Sequence, residues 1–333
     1  MIRILRLVAA SLALMFGATT AGAADSKVDG LLAMRAFDQR VTTIGFRLAV
    51  ASGDWCAERQ WLPGLELHDV SQYGADWREA ARAAFALADD PAVLALAAGG
   101  PAERAGVRLD DHVLSLDGML MPAAGDGRPG TFDRAERILD ALDAAFADGE
   151  ARIAIVRDGA ALSIEFRGEQ GCPTRFQLIP SSRLNALADG RYVQVTTALA
   201  DYVEGDDELA AVLAHEFAHN VLRHRARLDA ARVARGFLGN FGRNARLIRA
   251  TEDEADRLSV YLLDRAGYDV EAPVRFWSRF GRRGLSFLNA PTHSDWRTRV
   301  RLFEAEIAKI RAARAAGQTP APDFVQLPVS SAR

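Results

Sequence analysis

The sequence of 333 residues is long enough for two globular domains, and 49% hydrophobic and 26% charged residues are typical of a folded protein. Its 41 Lys and Arg residues nearly balance its 44 Asp and Glu residues, which gives a formal net charge of −3. A surface with this balance has no electrostatic reason to bind nucleic acid or anionic lipid. We therefore expect no nucleic-acid partner.

Residues 1–23 have the pattern of a secretory signal peptide. Arg3 and Arg6 supply the positive start, residues 7–16 form a short apolar core, and residues 21–23 offer a small-residue cleavage site. The core is too short to span a bilayer, and no other segment approaches the ~18–20 apolar residues that spanning requires. We therefore expect an exported chain without a transmembrane anchor, located in the periplasm of a Gram-negative cell or, alternatively, secreted.

The chain has two cysteines, Cys56 and Cys172, and neither has the spacing of a metal site. In an oxidising compartment an even pair favours one disulfide, which would close a large loop here. Two free buried thiols are the alternative.

The next part of the chain, residues 76–170, is predicted to form a small module of short strands around one helix. Its elements are a Gly-Pro turn at 99–107, a strand at 110–118, a helix at 131–146, and a hairpin at 151–166 that turns at Asp158-Gly159. This order resembles a bacterial PDZ domain, a β-sandwich or barrel. The resemblance implies that a groove of the module binds a peptide C-terminus.

The carboxylate-binding loop of such a domain has its nearest candidate at residues 64–67, Gly-Leu-Glu-Leu. A predicted helix over residues 76–88 separates this loop from the next strand, so the groove could be reshaped or filled. A module that only scaffolds its neighbour therefore remains open beside a peptide-binding one. Residues 24–75 are assigned to an N-terminal segment that completes one of the two domains.

The strongest chemical signal is the sequence His215-Glu216-Phe217-Ala218-His219, inside a stretch with helical character at residues 206–224. A spacing of four places both imidazoles on one helix face, one turn apart. Two imidazoles so placed can share one zinc ion, and the Glu beside the first can act as a general base toward water.

A third ligand must come from elsewhere in the chain, because position 225 carries Arg instead of a closely spaced third His. In the acidic segment 251–256, Glu252 and Asp256 share a helix face, while Asp253 and Glu254 lie off it. Glu252 can then reach the metal and Asp256 can bind a ligand His. A solvated helix start is the alternative for this segment. We interpret His224 as structural, because a continuous helix would turn it away from the metal.

These motifs together resemble the gluzincin metallopeptidases, the family that contains the CAAX-prenyl endopeptidases, the HtpX-type proteases and the periplasmic β-barrel assembly-enhancing protease. Further similar segments are Asn-Ala-Leu-Ala at 185–188, the run into the metal helix at 207–214, and Thr292-His293 followed by Arg299-Val300. The resemblance covers about residues 175–310. It implies a mainly helical zincin domain with a small sheet, which we assign to residues 175–315.

The resemblance also implies the roles of individual residues. His215, His219 and Glu252 would hold one zinc ion per chain, with Glu216 as general base and Asp256 behind a ligand His. His293 and Arg299 would donate to the oxyanion or hold the substrate. The strand at 191–196 would be the edge strand that pairs with an extended polypeptide, through Val193 and Val195.

We therefore predict an α+β protein in which a PDZ-like module precedes a zinc endopeptidase domain, followed by a disordered tail at residues 316–333. Its expected substrates are polypeptides, by resemblance misfolded or unassembled envelope proteins. The rival hypothesis is a catalytically silent protease fold that acts as a PDZ-type adaptor.

Overall fold

A computed structural model describes residues 5–124, 128, 130–233, 242–282 and 294–324. The strands are β1 (Gln60–Leu62), β2 (Leu65–His68), β3 (Ala92–Leu96), β4 (His112–Leu116), β5 (Met119–Leu120), β6 (Glu150–Arg157), β7 (Ala160–Arg167), β8 (Glu169–Gly171), β9 (Arg175–Ile179), β10 (Ala186–Ala188) and β11 (Tyr192–Thr196). The helices are α1 (Leu5–Ala51), α2 (Ala75–Phe85), α3 (Pro101–Arg104), α4 (Asp133–Ala145), α5 (Thr197–Tyr202), α6 (Gly205–Val221), α7 (His224–Ala230), α8 (Gly242–Ala266), α9 (Ala272–Arg282) and α10 (Trp296–Ala315). Among the helices so described, none combines the length and the apolar character that crossing a membrane requires.

The first large element is an antiparallel sheet in the order β2-β3-β4-β6-β7, with β5 paired to β4. The predicted hairpin is confirmed: β6 and β7 pair over their whole length, and the turn residues Asp158 and Gly159 both have positive φ, as a type I′ turn requires. The predicted helix at 131–146 appears as α4, which packs Ile138 and Leu142 onto the sheet. Within the described residues this sheet is open, so the mixed helix and sheet class is confirmed but a barrel is not formed.

A second, three-stranded sheet supports the helical part of the chain, in the order β10-β11-β9. The prediction that residues 191–196 form the edge strand is wrong, because β11 pairs with β10 on one side and β9 on the other. Val193 and Val195 are fully buried in the core and cannot contact a substrate. The two edge strands of this sheet are β9 and β10.

The C-terminal half of α1 joins the two sheets. Val41, Ile44 and Leu48 are buried in the same core as β9, α6 and α8. Gly45 allows this approach, since a Cβ there would lie 2.2 Å from the Phe176 ring of β9. On its other side, Thr43 accepts a hydrogen bond from the Ala98 backbone just after β3. The N-terminal segment therefore packs on both halves of the molecule.

The groove between β2 and α4 is where a PDZ-like module would receive a peptide. The space left there is about 110 Å³, and α1 and β9 form part of its lining. Ligand pockets for small molecules usually have ~300 Å³ or more. In this conformation the space between β2 and α4 is therefore smaller than a typical ligand pocket.

At the C-terminal end, residues 316–324 of the predicted tail pack against the helices. The Arg257 guanidinium lies 3.6 Å from the Phe324 ring centroid, and Lys309 donates to Asp323 at 2.9 Å. The apolar ring and the carboxylate anchor this part of the tail, so the prediction of disorder is wrong for these residues. Residues 325–333 lie outside the described part of the chain.

The predicted disulfide between Cys56 and Cys172 is present and links residues 116 positions apart in sequence. Both residues are buried, in the core cluster that includes α1 and α6. The bond ties the segment after α1 to the segment that leads into β9. Closing so long a loop restricts the unfolded chain strongly.

Replacing both Cys56 and Cys172 with Ala should lower the free energy of unfolding by about 2–4 kcal/mol, because the unfolded chain regains the conformations that the bond removes. Urea unfolding followed by circular dichroism measures this difference. A reducing agent should leave the urea midpoint of the double variant unchanged, whereas it should lower the midpoint of the wild type toward that of the variant. Equal midpoints for oxidised wild type and double variant would contradict the prediction.

Candidate metal centre

The helix that carries the motif, α6, is almost wholly buried. Glu208 in its first turn is 2% exposed, yet it is paired with Arg279 of α9 through two hydrogen bonds of 2.6 and 2.5 Å. A buried carboxylate needs such a partner, and the pair fixes α9 against the start of α6. Because Leu213 and Phe217 pack into the core, the His215 and His219 side of the helix faces the opposite direction, into a cleft.

The structure brings three of the predicted ligand residues together. The Nε2 atoms of His215 and His219 are 3.4 Å apart. Glu252 of α8 completes the group, with carboxylate oxygens 3.4 Å from His215 Nε2 and 3.6 Å from His219 Nε2. All three ligand atoms lie within 4.8 Å of one another, and no other group of this kind occurs in the described residues.

The spacing of the two imidazoles fits zinc. Ligand atoms ~2.0–2.2 Å from a tetrahedral ion are separated by roughly 3.3–3.6 Å, which agrees with the 3.4 Å between the two Nε2 atoms. Each Nε2 also has one oxygen of Glu252 at a similar distance. Two imidazoles and one carboxylate are also a donor set that a catalytic zinc uses, with a fourth position left for water or substrate. The residues present therefore suit a zinc ion in size and chemistry.

His215 is supported from behind by a buried ion pair. Its Nδ1 lies 2.9 Å from Asp256, and Asp256 accepts a hydrogen bond of 2.7 Å from Arg299 Nε. Arg299 lies 3.5 Å from the Trp277 ring centroid and, like Asp256, is at most 2% exposed. The carboxylate can thus fix the tautomer of His215 with its Nε2 toward Glu252.

This contact changes the interpretation of Arg299. Its Nε and one terminal nitrogen bind Asp256, on the Nδ1 side of His215 and away from the Nε2 atom that faces the cleft. The sequence predicts that Arg299 donates to an oxyanion or holds the substrate. In the structure, two of its donor nitrogens form hydrogen bonds with Asp256 instead. His293, the other predicted donor, lies outside the described residues.

The charges of the site shift its pKa values. Burial lowers the pKa of His215, but hydrogen bonds to Asp256 and Glu252 outweigh burial and raise it to about 9. A metal binds the neutral imidazole, so binding here should release a proton. Burial raises the pKa of Glu216 to about 7, although the nearby His215 opposes the shift. A carboxylate with a pKa near neutrality is suited to general base catalysis.

Residues that the sequence did not single out complete the cleft, which has a volume of about 350 Å³. Phe276, Trp277 and Phe280 of α9 form its aromatic wall, and the β10 edge forms the opposite part of its lining. Residues 272–282 have a strongly amphipathic pattern in the sequence. That pattern predicts a helix with one apolar face, but it does not tell whether the face packs in the core or lines a cleft.

His224, which was expected to lie away from the metal, contacts one of the predicted ligands, and it links Glu254 to that ligand. His224 Nδ1 lies 2.9 Å from His219 Nδ1, and His224 Nε2 lies 3.1 Å from Glu254. A continuous helix over residues 206–224 would point His224 away from the metal. Instead α6 ends at Val221, and Arg223 adopts a left-handed conformation with φ 53° that returns His224 toward His219.

Comparison with known proteins identifies related sequences for this region. The family model described as "Peptidase family M48" matches residues 150–243, which include the two histidines and Glu216 and end before Glu252. The mitochondrial metalloendopeptidase OMA1 of Schizosaccharomyces pombe is 33% identical over 137 residues. The β-barrel assembly-enhancing proteases of Yersinia pestis and Escherichia coli K12 are 31% and 32% identical over 133 residues.

These similarities are partial on both sides. They cover 34% of this chain for the fission yeast protein and 31% for each bacterial one. The chain covers 41% of the length of the fission yeast protein and 27% of the length of each bacterial protein.

Replacing Arg299 with Met should leave Asp256 buried without its cation and lower the free energy of unfolding by about 3–5 kcal/mol near neutral pH. Arg299 holds the pKa of Asp256 below its ordinary value, against the effect of burial. A depressed carboxyl pKa stabilises the fold above pH ~4, and that contribution disappears as the pH falls through the folded-state pKa. The deficit of the variant should therefore shrink in acid.

Urea unfolding at pH 7 and at pH 3 measures both effects. Arg301→Met is the matched control, because Arg301 lies on the same helix and is exposed. An equal loss of stability for the two variants, or a deficit that grows in acid, would contradict the assigned role of the pair.

Proposed function

The chain carries a peptidase family M48 domain, and on that premise we propose that it is a zinc-dependent endopeptidase. The observation that carries the proposal is the cluster of His215, His219 and Glu252 beside the half-buried Glu216, at the wall of an open cleft. Both sets of relatives bear protease names, which agrees with this reaction class.

In the proposed mechanism His215, His219 and Glu252 hold the ion, and Asp256 orients His215. Zinc bound there would lower the pKa of a water molecule and polarise the scissile carbonyl. Glu216 accepts the proton of the attacking water and then gives it to the leaving amine. In the metal-free chain, burial raises the pKa of Glu216 toward neutrality, which suits a group that accepts and then returns a proton.

The substrate would bind as an extended strand along β10. Thr196 N donates to Asn185 O, and Asp189 N donates to Tyr192 O, so residues 185 and 189 face β11. In an antiparallel pair this direction alternates, so the backbone of Leu187 also faces β11 while those of Ala186 and Ala188 face outward. Outward N–H and C=O groups at a sheet edge can pair with almost any extended polypeptide.

Export and an envelope substrate belong to the same proposal. The predicted signal peptide at residues 1–23 and the Cys56–Cys172 disulfide both favour an oxidising compartment outside the cytosol. Backbone recognition at β10 favours unfolded or unassembled chains, because a folded protein rarely presents a free strand. We therefore propose misfolded or unassembled envelope proteins as substrates, in the periplasm.

The rival function, a silent protease fold that acts as a PDZ-type adaptor, has less support. The space between β2 and α4, where such an adaptor would bind a peptide, has a volume of only about 110 Å³ and is lined in part by α1. The metal cleft retains about 350 Å³ together with a complete set of ligands and a base. The catalytic function is therefore the one that the geometry supports best.

Replacing Glu216 with Gln should preserve zinc and reduce casein cleavage by about 10²–10⁴-fold, because the amide cannot accept the proton. Replacing Glu252 with Ala should remove zinc and cleavage together, since it deletes a ligand. Metal content by mass spectrometry and cleavage by fluorescence release measure the two effects.

Glu304→Ala is the control for loss of a carboxylate, because Glu304 is exposed on α10. A wild type that purifies and reconstitutes without zinc would overturn the proposed metal centre. Zinc retained together with full cleavage in Glu216→Gln would overturn the assigned base.

Replacing Ala188 with Pro should remove an outward N–H of β10 while sparing the hydrogen bonds to β11. We expect a loss in kcat/KM of up to about tenfold, corresponding to one substrate hydrogen bond of ~0.5–1.5 kcal/mol. Ala188→Val keeps the N–H and is the matched control. If Pro and Val at this position cleave casein equally well, strand addition at β10 is wrong.

A further inference from the structure

His219 is the first of a chain of four side chains, and the proposed mechanism does not use the other three. His219 Nδ1 contacts His224 Nδ1 at 2.9 Å, and His224 Nε2 contacts Glu254 Oε2 at 3.1 Å. Arg227 then binds both oxygens of Glu254, at 2.6 and 3.2 Å. We call these four residues the His224 relay.

The backbone is shaped to place His224 in this position. An unbroken helix would carry residue 224 on from α6, but the left-handed Arg223 ends that path and starts α7 in a new direction. A non-glycine residue rarely adopts this conformation without tertiary support, so the surrounding contacts must hold it. The result is an imidazole that is only 2% exposed, sandwiched between His219 and Glu254.

The contacts allow one arrangement of protons when a metal is present. A metal on His219 Nε2 needs that nitrogen's lone pair, so the proton of the neutral ring is on Nδ1. His224 Nδ1 must then accept, which leaves the His224 proton on Nε2. That proton is donated to Glu254, a carboxylate that Arg227 keeps paired.

We propose that His224 is a positioning residue for the metal, and that Glu254 and Arg227 set its tautomer. The inference rests on the proposed zinc site. His224 accepts the Nδ1 proton of His219 and so directs the Nε2 lone pair toward His215 and Glu252. It does for His219 what Asp256 does for His215.

A purely structural His224 would require only a ring of this shape in the buried space. The relay requires an acceptor atom at the position of Nδ1. These requirements separate in two substitutions: His224→Asn places an amide oxygen close to the Nδ1 position, whereas His224→Leu fills the space without an acceptor.

The test is the zinc affinity of the full chain, measured in competition with a chelating dye, together with the melting temperature of the metal-free protein. His224→Leu should weaken zinc binding about 10–100-fold, the usual effect of losing such a partner. His224→Asn should recover most of that loss. His112→Leu is the control, because His112 lies on β4 and contacts none of the relay.

A second variant guards against a failure of His224→Leu to fold. Glu254 is partly exposed, so Glu254→Ala should fold and should weaken zinc binding by less than His224→Leu does. Equal zinc affinities for wild type, His224→Leu and Glu254→Ala would overturn the relay. So would equal losses for the Asn and Leu variants at equal metal-free stability.

His215→Ala separates this inference from the proposed function. If that variant still binds zinc as the wild type does, the metal centre itself is wrong. If it loses zinc while both relay variants keep it, the metal centre stands and only the relay is wrong.

Discussion

The proposed metal centre depends on one constraint: a buried imidazole that offers one nitrogen to an ion must satisfy the other nitrogen with a hydrogen bond. Helix α8 meets this constraint directly for His215, and for His219 only through His224 of α7. Glu252 faces the ligand nitrogens, and Asp256, four residues later on the same face, binds Nδ1 of His215. Glu254 lies on a different face and reaches His219 only through His224.

The part of this arrangement that follows local periodicity was predictable from the sequence. The spacing of four between His215 and His219, and again between Glu252 and Asp256, is enough to place each pair on one face. The hairpin at Asp158-Gly159 was predictable for the same reason, because the turn needs two residues that tolerate positive φ. These predictions require no knowledge of how distant segments pack.

The predictions that failed depended on where an element ends or which neighbour it has. Nothing in the composition of residues 220–225 requires a left-handed Arg223, because Arg rarely adopts that conformation without tertiary support. The strand at 191–196 has the same alternation whether it is central or at the edge. Its burial on both sides follows from pairing with β9 and β10, which is a long-range event.

The N-terminal half is coupled to the metal domain by the same kind of long-range packing. α1 contributes Ile44 and Leu48 to the core around α6, and the Cys56–Cys172 bond holds the chain just beyond α1. The space between β2 and α4 is lined in part by α1 and β9. A ligand that needs more room there would have to displace α1 from a core that it shares with α6, so the packing of that core would oppose its binding.

Charge balance gives an independent argument for a divalent ion. Glu216, Glu252, Asp256 and Glu254 place four carboxylates around the two histidines. Arg299 and Arg227 offset two of them by direct hydrogen bonds. The other two carboxylates, those of Glu216 and Glu252, face the cleft. Burying a carboxylate is costly unless a cation or a proton compensates it. A divalent ion at the ligand atoms would supply that compensation. Without one, burial raises the pKa of Glu216, and the hydrogen bonds to Asp256 and Glu252 raise the pKa of His215, so both groups hold their protons more tightly.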